Sequence, residues 1–483
     1  MMKAQEKVGA AFGWKFFERV CVQGTNFLVT LLLARILSPA DYGTVSIIMI
    51  FVTLANTFVQ GGFNTALIQK KTIDENDYRT ILVFSSSVAL LLYLVLFAVA
   101  PSIARFYNTP ALSKLLRAVS IVLFPGALNS VQVAYITRKL RFKVLTISSF
   151  CSAIVAGIAG IILAYRDAGA WALVVQQLIN QVGCCIVTYS LIRWFPHGKF
   201  SRKKLQSMLP FGSKVFASNF ITALFLDIRS LLIGKVYSSD AVGYFNRGKQ
   251  FPQAIMESVN GTIQTVLLPV YAQKQDSVDS VARMVSQVIR LLSLVLFPVI
   301  FGLAAVAEPL VKLLLTDNWL ECVPYLKIFS FSYLFLAVQL STVQAYKALG
   351  DSGTPLKLEI IKKAIEMLLL FATMRYGVYP IAVSMIVSQA IAHVLNMFSA
   401  KRILNYPLHR QLMDLLPATA FSLVMVLGIK LVSYRIQSTV WNLILSIVLG
   451  VAIYMTLCVV FKVKEFNMIL TLLKHKLKKP AKT

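Results

Sequence analysis

Residues 224–234 read LFLDIRSLLIG, an apolar run that carries an aspartate and an arginine two residues apart. A charge near the centre of a bilayer costs roughly 2.5–3.5 kcal/mol on insertion scales, so each group needs a partner or a ligand. Arg229 is in helical register with Lys214, Ser218 and Thr222, all four within an arc of about 80°. A matching stripe near the N-terminus comprises Lys15, Arg19, Gln23, Asn26 and Thr30. Guanidinium and ammonium groups set along a helix suit a phosphorylated ligand, and amides and hydroxyls suit a polyhydroxylated one. Asp227 lies about 160° around the helix from Arg229, so the two do not pair. It shares a small polar face with Asn219, Ala223 and Ser230, suited to helix packing, and is also a candidate for binding a proton or cation.

Two further stripes are mostly neutral. Thr53, Asn56, Thr57, Gln60 and Asn64 fall on one side of their helix; Gln250, Gln253, Glu257 and Gln264 fall on one side of theirs, with Arg247 slightly off that line. Four polar faces are hard to hide in lipid, and the economical arrangement gathers them around one water-filled cavity between two lobes. Glu257, on a face that water and ions can reach, is a better candidate than Asp227 for coupling to a cation. Its structural alternative is an ion pair with a cavity cation such as Arg290. Glu359–Lys363 and Lys362–Glu366 are i,i+4 pairs and read as structural.

The elements that carry these faces follow from composition. Of 483 residues, 57% are hydrophobic and only 14% charged, and mean hydropathy is +0.72. A soluble protein has about 25% charged residues, so the chain is a polytopic membrane protein. Taking about 20 apolar residues per crossing gives about fourteen spans. They fall roughly at 12–36, 43–68, 80–100, 115–136, 144–165, 168–192, 210–236, 243–270, 284–306, 324–347, 356–376, 379–400, 412–434 and 439–461.

A formal charge of +28 taken alone suggests nucleic acid. The basic residues instead gather in alternate connections: KK at 70–71, RKLRFK at 138–143, FSRKK at 200–204, KR at 401–402 and the lysine-rich tail. That pattern orients both termini to the cytoplasm, adds an attraction for anionic lipid and leaves no nucleic-acid partner. The N-terminal segment has no A-x-A cleavage site after a short apolar core and reads as an uncleaved cytoplasmic end. The tail EFNMILTLLKHKLKK sets Phe466, Ile469, Leu470, Leu473 and Leu477 on one face and reads as an interfacial amphipathic helix. Five of the six cysteines lie in apolar runs and Cys322 in an outer loop, with no disulfide framework. The four histidines have no metal-ligand spacing, and no cofactor is expected.

The chain also repeats itself. FGWK at 12–15 and FGSK at 211–214 open two spans 199 residues apart, and ARILSPADYG ending at Gly43 corresponds to GKVYSSDAVG ending at Gly243. An even number of spans per half, about six, makes the repeats parallel, related by an axis along the membrane normal. The expected fold is all-α, with two six-helix lobes at 1–200 and 201–405, then two extra helices and a basic amphipathic tail at 406–483.

With RILSPADYG at 35–43, GGFNTALIQKK at 61–71 and GYFNRGKQFPQ at 243–253 in view, the chain resembles a known family. It is similar over its whole length to the polysaccharide transporter branch of the multidrug/oligosaccharidyl-lipid/polysaccharide exporter superfamily, the Wzx-type flippases, and to the colanic-acid or teichuronic-acid exporter kind among them. The resemblance implies a non-enzymatic flippase of the bacterial cytoplasmic (inner) membrane. Its cargo would be undecaprenyl-diphosphate-linked oligosaccharide for lipopolysaccharide, capsule or exopolysaccharide. H⁺ or Na⁺ is the candidate coupling ion, and membrane lipids and polysaccharide polymerase machinery are the candidate partners. In that light Arg19, Lys214, Arg229, Arg247 and Arg290, with Lys15, would hold the diphosphate. Gln23, Asn26, Asn56, Gln60, Asn64 and Gln250 would hold sugar hydroxyls.

Two rival functions compete. A multidrug exporter of the same superfamily would expel organic cations, which a cavity lined by Lys and Arg repels. A membrane glycosyltransferase or polysaccharide polymerase needs carboxylates gathered in a sizeable outer loop or domain. The longest outer stretch, 307–324, is short and partly apolar, with Asp317 and Glu321 reading as loop residues. No nucleotide-binding fingerprint is present either. The charge asymmetry makes a direct prediction: a cysteine placed within 200–204 labels only from the cytoplasm, and one near Asn318 only from outside. Labelling of each from the opposite face would invert the orientation.

Overall fold

The computed structural model describes residues 24–468 and 471, apart from Gly61, Lys71, Leu140, Ser352, Arg435 and Gln437. All regular structure among these residues is helical. The chain divides into two compact units, Met1–Gly243 and Tyr244–Thr483. The first unit holds α1 (Gly24–Ile36), α2 (Pro39–Gln60), α3 (Phe63–Gln69), α4 (Glu75–Phe106), α5 (Ala111–Val119), α6 (Leu123–Arg138), α7 (Phe142–Tyr165), α8 (Ala170–Ile192) and α9 (Arg202–Val236). Helix α10 (Ser239–Ala272) starts in the first unit and continues into the second. There it is followed by α11 (Val278–Ala305), α12 (Ala307–Leu314), α13 (Val323–Ala348), α14 (Gly353–Thr373), α15 (Val378–Leu404), α16 (Leu408–Ser433) and α17 (Thr439–Val460).

Among the described residues ten helices are long and apolar enough to cross a membrane, and α9, bent by 41°, makes eleven. The expected count of fourteen is not reached by that measure. Helices stand at the three remaining places, but the start of the first expected span lies outside the described residues. The other two, α10 and α14, each carry several charges: α10 has Asp240, Arg247, Lys249 and Glu257, and α14 has Lys357, Glu359, Lys362, Lys363 and Glu366. Within α14, Lys363 bridges Glu359 and Glu366 at 3.8 and 3.1 Å, while Lys362 lies 4.0 Å from Glu359 rather than meeting Glu366 as expected. The bend in α9 falls between Phe225 and Asp227, so the aspartate singled out in the sequence opens the second arm of a broken helix.

Serine and glycine set how α2 and α10 begin. The Ser38 N–H and hydroxyl both donate to the Asp41 carboxylate, and the Asp41 N–H donates back to the Ser38 hydroxyl. Ser238, 200 residues later, accepts from the Ala241 N–H in the same position relative to α10. These are the hydrogen bonds that free helix-end amides require. The two starts then meet through backbone. A Cβ on Gly43 would lie 1.6 Å from the Ser239 carbonyl oxygen, and one on Gly243 would lie 2.2 Å from the Pro39 oxygen. Only hydrogen fits at either place.

Loop residues of the first unit dock on the start of α4. Asp74 and Asp77 form a reciprocal capping box there. Lys204 donates to Asp74, Lys70 to Asp77 at 2.6 Å, and the hydrogen bond from Lys204 holds the Asp74 carboxyl below the ordinary carboxylate range. Trp194 stacks on Tyr135 at 3.8 Å and donates to Glu75, and the Arg138 guanidinium donates to the carbonyls of Leu67, Ile68 and Lys70.

The second unit buries one apolar core along α11, α13, α15, α16 and α17. Phe466 belongs to that core, so this member of the expected interfacial face is packed inside; Ile469, Leu470, Leu473 and Leu477 lie outside the described residues. Cys322 is likewise fully buried, not in an open loop, because the 3-10 turn Asp317–Cys322 folds inward with Trp319. Leu91, Leu94, Ile158, Leu427, Leu431 and Val448 are large apolar side chains left exposed, as a lipid-facing surface requires.

Gly43→Ala and Gly243→Ala are each expected to cost about 1–3 kcal/mol, because backbone cannot yield as a flexible side chain does. Gly24→Ala, whose Cβ meets nothing within 4 Å, is the neutral control. Thermal unfolding of the detergent-solubilised protein distinguishes them; unchanged midpoints for both variants would refute the close approach.

Candidate functional site

A polar cavity of about 360 Å³ lies inside the first unit. Helix α2 supplies Thr53, Asn56, Thr57 and Gln60, and α3 supplies Asn64 and Thr65. The whole neutral stripe expected from spacing therefore faces one space. Gly62 makes this possible by breaking the helix between the two parts. It adopts φ +70°, a left-handed conformation that side chains disfavour, and a Cβ there would lie 2.5 Å from the Gly212 oxygen of α9.

Three amide-bearing lining residues were not assigned to ligand from the sequence. Gln177 and Gln181 of α8 sit one turn apart, an i,i+4 amide pair that periodicity could have revealed. Asn219 of α9, expected on a packing face, instead lines the cavity. Among the described residues that line it none is charged; they are amides, hydroxyls and a few apolar groups. The Oδ1 atoms of Asn56 and Asn64 are buried there without hydrogen-bond partners. Leaving such an acceptor unmet costs about 1–3 kcal/mol.

The expected cations are arranged differently. Arg19 and Gln23, with Lys15, lie outside the described residues, as do the side chains of Ser218 and Gln264. Asn26 and Lys214 are exposed on α1 and α9 and do not line the cavity. Arg229 is buried at 6% exposure on α9 beside Ser230. The end of that helix is tied to α4, where the Tyr107 hydroxyl donates to the Leu231 carbonyl and Lys235 to the Phe106 carbonyl. Asp227 is half-buried one turn before Ser230.

In the second unit Arg247 is buried against the Trp319 ring at 5.0 Å and donates to Gln250 Oε1 at 2.5 Å. The two stripe residues thus engage each other. Glu257 is exposed and accepts from Gln253 at 2.7 Å. Its expected partner Arg290 is held elsewhere, 3.2 Å from Asp414 and 2.7 Å from Glu465. Asp414 also accepts from the Ser286 and Tyr406 hydroxyls. This hub, with Asp414 buried and Arg290 partly exposed, fastens α16 and the segment after α17 to α11, and Arg290 acts there as a structural cation. The sequence signal was missed because the partners lie 124 and 175 positions away.

A second cavity of about 530 Å³ lies in the same unit between α11, α16 and α17. Pro298, Val299, Leu303, Ile447 and Val451 are among its walls, and its few polar lining groups include Tyr454, whose hydroxyl is used on the Leu294 carbonyl. One space in the molecule thus fits hydroxylated matter and another fits hydrocarbon.

Asp414→Asn is expected to lower stability by about 1–3 kcal/mol, since two hydroxyls and Arg290 lose an anionic acceptor. The larger loss is expected from Arg290→Ala, which strands two carboxylates. Thermal unfolding checks the order; Arg290→Ala being neutral would deny the hub.

Residues 32–324, more than half of the chain, match the polysaccharide biosynthesis protein family. The chain is 21% identical over 341 residues to the succinoglycan biosynthesis transport protein ExoT of Rhizobium meliloti (strain 1021), covering 71% of this chain and 69% of that one. It is 23% identical over 318 residues to the teichuronic acid biosynthesis protein TuaB of Bacillus subtilis (strain 168), covering 65% and 66%. These matches span about two thirds of each relative's length. The fold is that of a solved structure of the lipid II flippase MurJ in an inward closed conformation, at TM-score 0.72 and 18% identity over 94% of this chain and 98% of that one. A multi-pass helical chain with this match along most of its first two thirds belongs to the polysaccharide biosynthesis protein family of membrane proteins.

Proposed function

We propose that the protein flips undecaprenyl-diphosphate-linked oligosaccharide across the bacterial cytoplasmic membrane for assembly of a surface polysaccharide. The observation that carries this reading is the cavity whose described lining is rich in amides and hydroxyls, in a chain of a polysaccharide biosynthesis family. Sugar hydroxyls donate and accept at the same oxygen, so they satisfy both halves of an amide. A multidrug exporter has no use for such a wall, because organic cations bring few donors.

On this reading the sugar occupies the cavity of the first unit, while Arg229 and Arg247, with Arg19 and Lys214, contact the diphosphate during the cycle. Arg247 must leave Gln250 and Trp319 to do so. The polyprenyl chain stays in hydrocarbon, for which the apolar cavity beside α17 is a suitable lodging. Transport proceeds by alternating access of the repeats 1–200 and 201–405, with both termini in the cytoplasm. Glu257, the exposed carboxylate of α10, is the first candidate for coupling to H⁺ or Na⁺, ahead of the half-buried Asp227.

Reconstitution tests this directly. In proteoliposomes, Arg229→Ala and Arg247→Ala are expected to slow flipping of undecaprenyl-diphosphate trisaccharide roughly tenfold or more, the loss of one charge-assisted hydrogen bond. Glu257→Gln is expected to retain flipping but lose its dependence on an imposed ion gradient. Wild-type rates in both arginine variants would remove those residues from the site, and absence of any flipping by the native protein would refute the function.

A further inference from the structure

We propose that residues 463–468 form a strap closing the apolar cavity of the second unit at its end nearest Arg290. Phe466 is the plug, the Glu465–Arg290 ion pair is the latch, and a prenyl chain entering the cavity displaces both; the identity of that chain rests on the flippase reading. The strap begins where α17 ends. There the Val463 N–H donates to the Cys458 carbonyl and the Lys462 N–H to the Val459 carbonyl, with Lys462 at φ +49°. Helices commonly stop in this way, but here a lysine holds the left-handed conformation that glycine usually supplies. The chain then runs as one helical turn over 464–468, closed by the Asn467 N–H on the Val463 carbonyl.

The side chains of the strap sort by face. Phe466 is buried in the core and Val463 packs against it, while Lys464, Asn467 and Met468 are exposed. Phe466 also lines the cavity, whose other walls stand largely on α11, α16 and α17. Its place along the cavity follows from its neighbour. Glu465 Oε1 is 2.7 Å from Arg290 Nε, and Arg290 stands one turn before Leu294, where the α11 wall begins. One turn further, Pro298 has no N–H to offer the Leu294 carbonyl, and the Tyr454 hydroxyl of α17 donates to it instead, at 2.9 Å. Helices α11 and α17 are thus tied together at the cavity itself, and the strap is the part free to move.

Two observations make this a closure that can open. Arg290 also lies 3.2 Å from Asp414, so when Glu465 leaves for water the guanidinium keeps a carboxylate and no buried charge is stranded. The cavity is also open sideways: Val295, Val299, Ile447, Val451 and Met455 line it and are 45–53% exposed on the apolar surface. What enters through that side is hydrocarbon from the bilayer, and it meets Phe466 at the end of the cavity.

Hydrogen exchange of the full-length native protein in phosphatidylcholine nanodiscs tests the strap, with farnesyl phosphate as the prenyl probe and dodecyl phosphate as the straight-chain control. Farnesyl phosphate is expected to speed exchange of the Val463 and Asn467 amides about fivefold or more, and dodecyl phosphate to leave it unchanged. Glu465→Gln should speed the same exchange with no probe added. A diazirine-bearing farnesyl phosphate reads the cavity: its labelling of segment 446–455 is expected to rise about threefold in Glu465→Gln and in Phe466→Ala. A packing role alone would lower the thermal midpoints of these variants without raising the labelling. Unchanged labelling in both, with native amides protected whatever is added, would overturn the strap. An equal response to dodecyl phosphate would overturn the choice of a prenyl chain. Flipping in proteoliposomes is scored separately: native protein that flips without any strap response loses this inference alone, and native protein that does not flip loses the flippase reading.

Discussion

Hydrocarbon offers no hydrogen bonds, so a polar group that enters the membrane interior has to find its partner within the protein or in a ligand. Most polar side chains here do find one. Ser, Thr and Tyr hydroxyls return to backbone carbonyls, as at Thr57, Ser148, Thr373 and Tyr454. Arg290 is held by two carboxylates, and Arg247 by an amide and an indole ring. Among the described residues several buried polar atoms find no partner within the chain, the Oδ1 atoms of Asn56 and Asn64 among them.

The cavity exists because glycine is placed where backbone or ligand space is needed. Gly62 interrupts α2 and α3 so that Asn64 turns to the same space as Asn56, and it admits α9 to within contact of the break. Gly43 and Gly243 let the starts of α2 and α10 touch through backbone. Packing through small residues is the usual means by which helices approach in lipid, where no hydrophobic effect drives them together. Here the same device also shapes the site.

Charge is used more sparingly than composition implies. The sequence offers many basic residues, yet none of the described residues that line the first unit's cavity is among them. Exposed or half-exposed lysines form structural bonds at helix starts, such as Lys70 and Lys204 with Asp77 and Asp74, where screening by water makes each worth little alone. Their collective effect is topogenic.

Composition and periodicity by themselves determined that the chain is an all-helical membrane protein, where nearly every helix lies, and that Thr53, Asn56, Thr57, Gln60 and Asn64 share a face. These are local properties: helical register relates residues a few positions apart, and lipid demands long apolar runs. The short motifs at 35–43, 61–71 and 243–253 gave the family as well. Tertiary structure alone decided what those faces meet. Gln177, Gln181 and Asn219 joined the α2 stripe because α8 and α9 pack beside it, a fact that spacing within any one helix does not contain. Arg290 left the cavity for Asp414 and Glu465 because α16 and the segment after α17 return against α11 from far along the chain. Phe466 went into a core for the same reason. Helical register fixes the direction in which a side chain points, and only the packing of distant helices fixes what waits there.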